Sequence, residues 1–366
     1  MLVAMSYKMS NFPDVPHKPT LLYLSINDGS DTRINKEIAT LSKAFLIDFV
    51  GIAAGEPHPF IAPHVHRMEV VKGRRRSPWV LARLFGRVAR LLSANRYDSI
   101  HVINENLYLV LWPLLLGQRV VLDIFDSIFL KTSLPGWLSR LGARFCYALP
   151  VKIIVTDEER AALMPAYSRP RLVILPNYPF RYLGPAITRD PTVVRILYAG
   201  SLEFSRGTSF LNALLAVSVD VRVVMAGWIR EGDEQTQALA LHPQVEWLGV
   251  LPQQKIIEQA TRCDFILCHY EPRSVNNIYA SPNKIYDAIQ AGAAVIINPE
   301  VRISRFVREH GLGVVLDAFA PTDMAVVARS LRKFKSSFRS DSALRERYLW
   351  EAIEPRLLVA HDLSAG

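Results

Sequence analysis

Three side chains in the second half of the chain, Arg206, Lys284 and Asp287, combine charges that suit a phosphorylated ligand. Ser281 is a good N-cap and Pro282 suits the first helical position, so Asn283 and Lys284 are predicted in the first turn of a short helix. Asp287 follows Lys284 by three residues and Asn283 by four, which puts all three on about the same helical face. Free backbone N–H groups and an ammonium at a helix start make an anion site, and a carboxylate one turn later accepts hydrogen bonds from a hydroxylated group. A sugar nucleotide carries both parts, a diphosphate and a ribose. An ordinary helix with Lys284 solvated and Asp287 a surface charge fits the same stretch. Gly292 stops the helix, and Ala293–Ile297 reads as a buried strand.

A second phosphate-type site precedes it. Val193–Ala199 reads as a strand, Gly200 to Gly207 as a turn region, and the residues to about Ala216 as a helix. Gly200 allows close backbone approach, the helix start offers N–H donors, and Arg206 adds a fixed positive charge. The spacing does not match a P-loop and lacks its Lys-Ser/Thr ending. In the first half of the chain, polar residues follow three apolar runs, at Asn27-Asp28-Gly29-Ser30-Asp31, Asn104-Glu105-Asn106 and Phe125-Asp126-Ser127. Polar residues at strand ends are candidates for a cleft wall, so Asp28, Gly29, Asn104, Glu105 and Asp126 are candidate substrate contacts. A plain connecting loop explains Asp28–Asp31 equally. His101 lies inside a strand pattern and reads as a core or edge residue.

The elements that must position these groups alternate. Thr20–Ile26 is a predicted strand, Asp31 the N-cap of a helix over Thr32–Phe45, and Leu46–Ile52 the next strand. Tyr97–Asn104, Val120–Ile124, Val151–Val155 and Arg171–Leu175 continue the pattern, with Thr156-Asp157-Glu158-Glu159 read as a capping box. After a linker it starts afresh, with strands over Val221–Ala226, Val245–Leu248 and Asp264–His269 and helices near Asp233–Ala240 and Gln253–Thr261. Gly227 and Gly249 follow two of these strands. Helices over Thr322–Phe334 and Ser342–Ile353 end the reading. Strand–helix alternation predicts two doubly wound α/β halves facing across a cleft. The expected layout is a loose tail over 1–19, an N-terminal domain over 20–180, a linker over 181–192, a C-terminal domain over 193–335, and a helical segment over 336–366 that packs back on the N-terminal domain.

With 366 residues, 50% of them hydrophobic and 21% charged, the chain is globular and long enough for two cores. A net charge of +9 and a pI near 9.5 point to an anionic partner. Cys146, Cys263 and Cys268 lack metal-type spacing, and Cys263 and Cys268 read as core residues in a reducing compartment. No export signal is evident, and Leu107–Leu116 is about half the ~20 residues a membrane-spanning helix needs. Lys72, Arg74, Arg75 and Arg76 precede a predicted helix with Val80, Leu84, Val88 and Leu91 on one side and Arg83, Arg87 and Arg90 on another. Such a helix fits a domain surface with its arginines in water, or an anionic membrane touched by Lys72–Arg90, and both hold if only the basic face meets headgroups. A cytoplasmic protein, peripheral on the inner face of the cell membrane in the second case, is expected. Nucleic acid is not an expected partner: zinc-finger spacing, a basic zipper and aromatic RNA-binding signatures are all missing.

Ile196 to Gly207, Val245-Glu-Trp-Leu-Gly249 and Ser281 to Ile296 together resemble the nucleotide-sugar domain of glycosyltransferase family 4, the retaining GT-B enzymes, in the branch with Ser-Pro-Asn-Lys. Leu175-Pro-Asn177 resembles that family's interdomain connection, and Ser30-Asp-Thr-Arg-Ile34 and Val121 to Asp126 are weaker likenesses. By that resemblance Arg206 and Lys284 neutralise a diphosphate with help from the Gly200 and Gly207 backbone, and Asp287 takes the place of a ribose-binding glutamate. Ser201, Gly249, Tyr279, Ser281 and Asn283 complete the implied donor site, and the resemblance makes the domain over 193–335 the nucleotide-sugar-binding one and the domain over 20–180 the acceptor-binding one. The resemblance implies transfer of a sugar from a nucleotide diphosphate sugar, with retention, to a saccharide or lipid-linked acceptor in cell-surface polysaccharide or glycolipid synthesis, with no metal or other cofactor. Ser201, Tyr279 and Phe125 depart from the family pattern, and they leave open a sugar-nucleotide epimerase or a non-catalytic nucleotide-sugar-binding scaffold.

Overall fold

A computed structural model describes residues 18–56, 59–75, 77–131, 136–185, 187–317 and 323–361. Most of the predicted tail over 1–19, and Arg76 of the basic run, lie outside the described residues. The first sheet contains β1 (Thr20–Leu24), β2 (Leu46–Ala53), β3 (Arg67–Lys72), β4 (Ser99–Ile103), β5 (Val120–Ile124), β6 (Lys152–Val155) and β7 (Leu172–Ile174). These run in the order β3-β2-β1-β4-β5-β6-β7, with every pairing parallel. Parallel neighbours need crossover connections, and the helices that supply them cover both faces of the sheet. That is why β4 and β5 are buried at every residue.

The second sheet contains β8 (Val194–Leu202), β9 (Val221–Ile229), β10 (Val245–Trp247), β11 (Phe265–Cys268), β12 (Ala294–Ile297) and β13 (Gly313–Val315). Its order is β10-β9-β8-β11-β12-β13, again parallel throughout. In each sheet the strand order reverses once, between β1 and β4 and between β8 and β11. At such a reversal the loops leaving two adjacent strands part to opposite sides and open a crevice at their carboxyl ends. The two crevices supply residues to one cleft.

Several elements differ from expectation. The first helix stops at Leu41, because Ser42 to Ala44 turn the chain directly into β2. β8 runs through Gly200 and Ser201 to Leu202 instead of ending at Ala199, since Gly200 and Ser201 still pair with Gly227 and Trp228. Thr156 is not a helix cap. Asp157 is, accepting from the Arg160 N–H at 2.7 Å. The expected Ser342–Ile353 helix is two helices, Ser342–Arg347 and Trp350–Ala360, broken where Tyr348 packs on the second sheet's core and Trp350 on the first's. The helix Trp350–Ala360 lies against Thr32–Leu41, with the Trp350 indole donating to Thr40 Oγ1 at 2.8 Å. Cys146, Cys263 and Cys268 are free and buried. The helix Pro78–Ala94 buries Val80, Leu84, Val88 and Leu91 and exposes Arg83, Arg87 and Arg90. Among the described residues, no helix is long and apolar enough to cross a membrane.

Candidate active site

The second sheet brings its charges together through glycines. Gly227 has φ 151°, and a Cβ there would lie 1.8 Å from the Gly200 carbonyl oxygen, so β8 and β9 meet at a distance only glycine allows. A Cβ on Gly200, at φ 96°, would sit 3.8 Å from Lys284 Cε, which places the lysine stem along the strand end. Beyond Leu202 the chain makes a short 3-10 turn, Phe204–Arg206, and Gly207 at φ 142° redirects it into the helix Thr208–Leu215. Arg206 pairs with Glu203 at 2.7 Å, and its guanidinium stands 5.2 Å from the centre of the Tyr270 ring. The Lys284 ammonium stands 5.7 Å from the same ring. Two cations held near one aromatic ring are attracted by its quadrupole and repelled by each other. Burial lowers the Lys284 pKa to about 8, and Arg206 acts in the same direction. An anion bound between them relieves both costs.

The helix that carries Lys284 is Asn283–Ala291, and Gly292 ends it in the left-handed conformation at φ 65°. Its cap residue is Pro282 with ψ 127°, so Ser281 stands one position outside the helix rather than capping it. Ser281, Asn283, Lys284 and Asp287 all line the cleft, as do Gly200, Ser201 and Arg206. Asp287 is buried and accepts from Gln253 Nε2 at 2.9 Å. Burial raises its pKa to about 6, against the opposing pull of Lys36. Gly207, Gly249 and Tyr279 do not line the cleft. Gly207 turns the backbone over Leu267, Gly249 accepts from the Gly227 N–H at 2.7 Å, and the Tyr279 ring faces Arg302 at 4.7 Å.

Across the cleft, the first sheet contributes loops that short side chains hold in shape. Asn27 Oδ1 accepts from the Gly29 N–H at 2.9 Å and Asp28 Oδ1 from the Ser30 N–H at 3.1 Å. Asp28 is thereby turned inward and Gly29 packs on Ile61, leaving Asn27, Ser30 and Asp31 at the cleft wall. Asn104, at φ 63° the one non-glycine with positive φ among the described residues, accepts from the Phe125 and Asp126 N–H groups at 2.8 and 3.0 Å. Glu105 is fully buried, accepting from the Tyr147 hydroxyl at 2.7 Å and the Ile128 N–H at 3.3 Å. It supports the loop and does not reach the cleft. Asn106 does, beside Asn104 and Asp126.

Residues outside the sequence-derived set join the halves. Arg160 donates to the Phe125 carbonyl at 2.6 Å on one side and the Tyr279 carbonyl at 3.1 Å on the other. Asn276 donates to Asp126 at 3.3 Å, and Asn283 to Thr32 at 3.4 Å. Lys36 is 1% exposed, donates to Asn177 and Tyr178, and is pushed down to about 7 by burial while Asp287 pulls it up. Tyr270 follows the end of β11, so the strand-end rule that selects Asp126 also points to it. Lys36 and Arg160 carried no such signal, each reading as an ordinary helical surface charge. Among the described residues Glu37, His101 and Asp123 could hold a metal ion by their spacing, but both carboxylates are already paired with the Arg33 guanidinium. It donates to Glu37 at 2.7 Å and to Asp123 at 3.0 Å, a buried ion-pair network.

The cleft encloses ≈ 630 Å³, within the range of small-molecule sites. No family model matches the chain, and no curated protein does. Solved structures do. Sucrose-phosphate synthase from Thermosynechococcus elongatus superposes with a TM-score of 0.71 at 14% identity, covering 94% of this chain and 98% of its own. The Anabaena protein HepE in complex with UDP and glucose follows at 0.66 and 15%, covering 95% and 100%. The lipopolysaccharide outer core galactosyltransferase WaaB gives 0.59 and 13%, covering 93% and 98%. Identities this low speak for architecture alone, and the architecture they share with this chain is the two-domain α/β GT-B fold.

Proposed function

We propose that the chain is a retaining glycosyltransferase of the family 4 type, moving a sugar from a nucleotide diphosphate sugar to a saccharide or lipid-linked acceptor. The observation that carries this reading is the convergence of Arg206 and Lys284 on Tyr270, with Gly200 behind them and Asp287 one helical turn beyond. The donor's diphosphate lies between the two cations, and Asp287 accepts from the ribose hydroxyls. When the bond from the sugar's anomeric carbon to the phosphate oxygen breaks, Arg206 and Lys284 neutralise the charge that develops on the leaving diphosphate. The acceptor oxygen bonds to the anomeric carbon from the same face, and its proton passes to the departing phosphate oxygen. Asn106 and Asp126 of the N-terminal half face the acceptor, and closure of the halves around Arg160 excludes water. Because protein cations neutralise the diphosphate, no divalent metal is required.

The reaction belongs to cell-surface polysaccharide or glycolipid synthesis, on the cytoplasmic side of a membrane that the basic Lys72–Arg90 surface attracts. Calorimetry with uridine and guanosine diphosphate sugars, followed by turnover with lipid-linked acceptors and magnetic-resonance assignment of the product anomer, tests the whole reading. Binding of one donor, a retained anomer and turnover unchanged by a chelator are expected. Failure to bind any nucleotide sugar rules it out, and conversion of the donor without an acceptor indicates an epimerase.

A further inference from the structure

The N-terminal half holds a second cavity, of ≈ 230 Å³, between the helix Gly136–Ala148 and residues 163–165. Phe129, Ala143, Leu163 and Met164 are among its apolar walls. Among the described residues its charged lining is Arg140 and Arg160, with no carboxylate. Arg160 also lines the large cleft, so the two spaces share a wall. The segment that walls this cavity exposes large apolar side chains. Trp137 is 63% exposed and Leu141 58%, and Leu138, Leu149 and Leu163 are also exposed. Large apolar side chains left exposed on one short segment are a mark of an interaction site. The charge is one-sided as well: from Ser127 to Thr156 the chain has Lys131, Arg140, Arg144 and Lys152 and no acidic residue. An apolar pocket with the exposed Arg140 at its rim complements an amphiphile with a hydrocarbon chain and an anionic head.

We propose that this cavity binds the hydrocarbon chain of a lipid-linked acceptor. Arg140 meets the lipid's phosphate, and the saccharide reaches the cleft past Arg160. The inference rests on the transferase reading for the identity of its ligand as an acceptor, though not for the existence of the apolar-chain site. It adds to the basic face of Pro78–Ala94, whose apolar side is spent on the core, a lipid contact at Gly136–Ala148, which buries Cys146 and Tyr147 but exposes Trp137, Leu138 and Leu141.

Calorimetry on the full chain with decyl phosphate, decanol and inorganic phosphate is the test. Ala143→Trp fills the cavity and is expected to weaken both decyl compounds by about tenfold or more. Arg140→Glu is expected to weaken decyl phosphate by about tenfold and leave decanol within about twofold. Arg140 is exposed, so this variant keeps the test decisive should the tryptophan fail to fold. Nucleotide-sugar affinity is expected to stay unchanged in both. Equal decyl phosphate binding by all three proteins overturns the site, and so does inorganic phosphate binding as tightly as decyl phosphate. If the lipid pattern holds while the unaltered chain binds no nucleotide sugar, the transferase reading falls and the apolar-chain site stands.

Discussion

At the scale of single residues, the proposed donor site turns on protonation states that burial has moved toward neutrality. In the free protein Lys284 titrates at about 8 and Asp287 at about 6. A diphosphate diester has no ionisation of its own near these values, so a nucleotide sugar reports on the protein alone. Below about 6, Asp287 gains a proton and loses its capacity to accept from two ribose hydroxyls as a carboxylate. Above about 8, Lys284 loses its charge. Nucleotide-sugar affinity is therefore expected to peak between the two and to fall by up to about tenfold per pH unit outside them. Asp287→Asn flattens the acid limb and Lys284→Arg the alkaline one; a profile unchanged by either variant counts against their roles. Removing the charges has a larger effect. Lys284→Ala and Arg206→Ala each delete a charge-assisted contact of ~1.5–3 kcal/mol, which is roughly a 10- to 150-fold loss of donor affinity by calorimetry.

At the scale of elements, glycines separate the positions that build the site from those that merely tolerate flexibility. Gly227→Ala drives a methyl group into the Gly200 carbonyl at positive φ, and a cost of roughly 1–3 kcal/mol is expected, with loss of donor binding as β8 shifts under Lys284. Gly86 lies on the exposed face of the helix Pro78–Ala94 with open space around its Cβ position, so Gly86→Ala is expected to stabilise by roughly 0.5–1 kcal/mol. Urea midpoints for the two variants move in opposite directions if the assignment is right. The same contrast explains what the sequence made legible. β5 and the helix Gln253–Thr261 match their predicted spans residue for residue, because each is a strong periodic run between clear breaks. β3 was hidden in a charged edge sequence, Arg67 to Lys72, where one residue alone is fully buried. β8 outran its predicted end because Gly200 reads as a turn locally, and only pairing with Gly227 keeps it in the sheet.

At the scale of the whole molecule, the buried charges near the cleft depend on contacts far apart in the chain, which no local pattern reveals. Lys36 is enclosed because the helix Trp350–Ala360 lies over its own helix, and Thr40 bonds to Glu354, 314 positions later. The chain passes between the halves twice. On the first passage Tyr178 packs against both cores and Phe180 against Trp350. On the second, Tyr348 meets Tyr178 and Phe306 edge-to-face and Tyr286 at a tilt within the second sheet's core, and two residues later Trp350 is fully buried in the first's. Trp350→Ala leaves its cavity wholly in the N-terminal half, at a cost of about 3–5 kcal/mol. Since the proposed nucleotide site is built on the second sheet, scanning calorimetry of this variant is expected to split into two transitions, the N-terminal half melting first. Adding a nucleotide sugar then raises the later transition and not the earlier one, because ligand stabilises only the unit that binds it. A single transition, displaced as a whole by both the substitution and the ligand, would show instead that the two passages lock the halves into one cooperative unit.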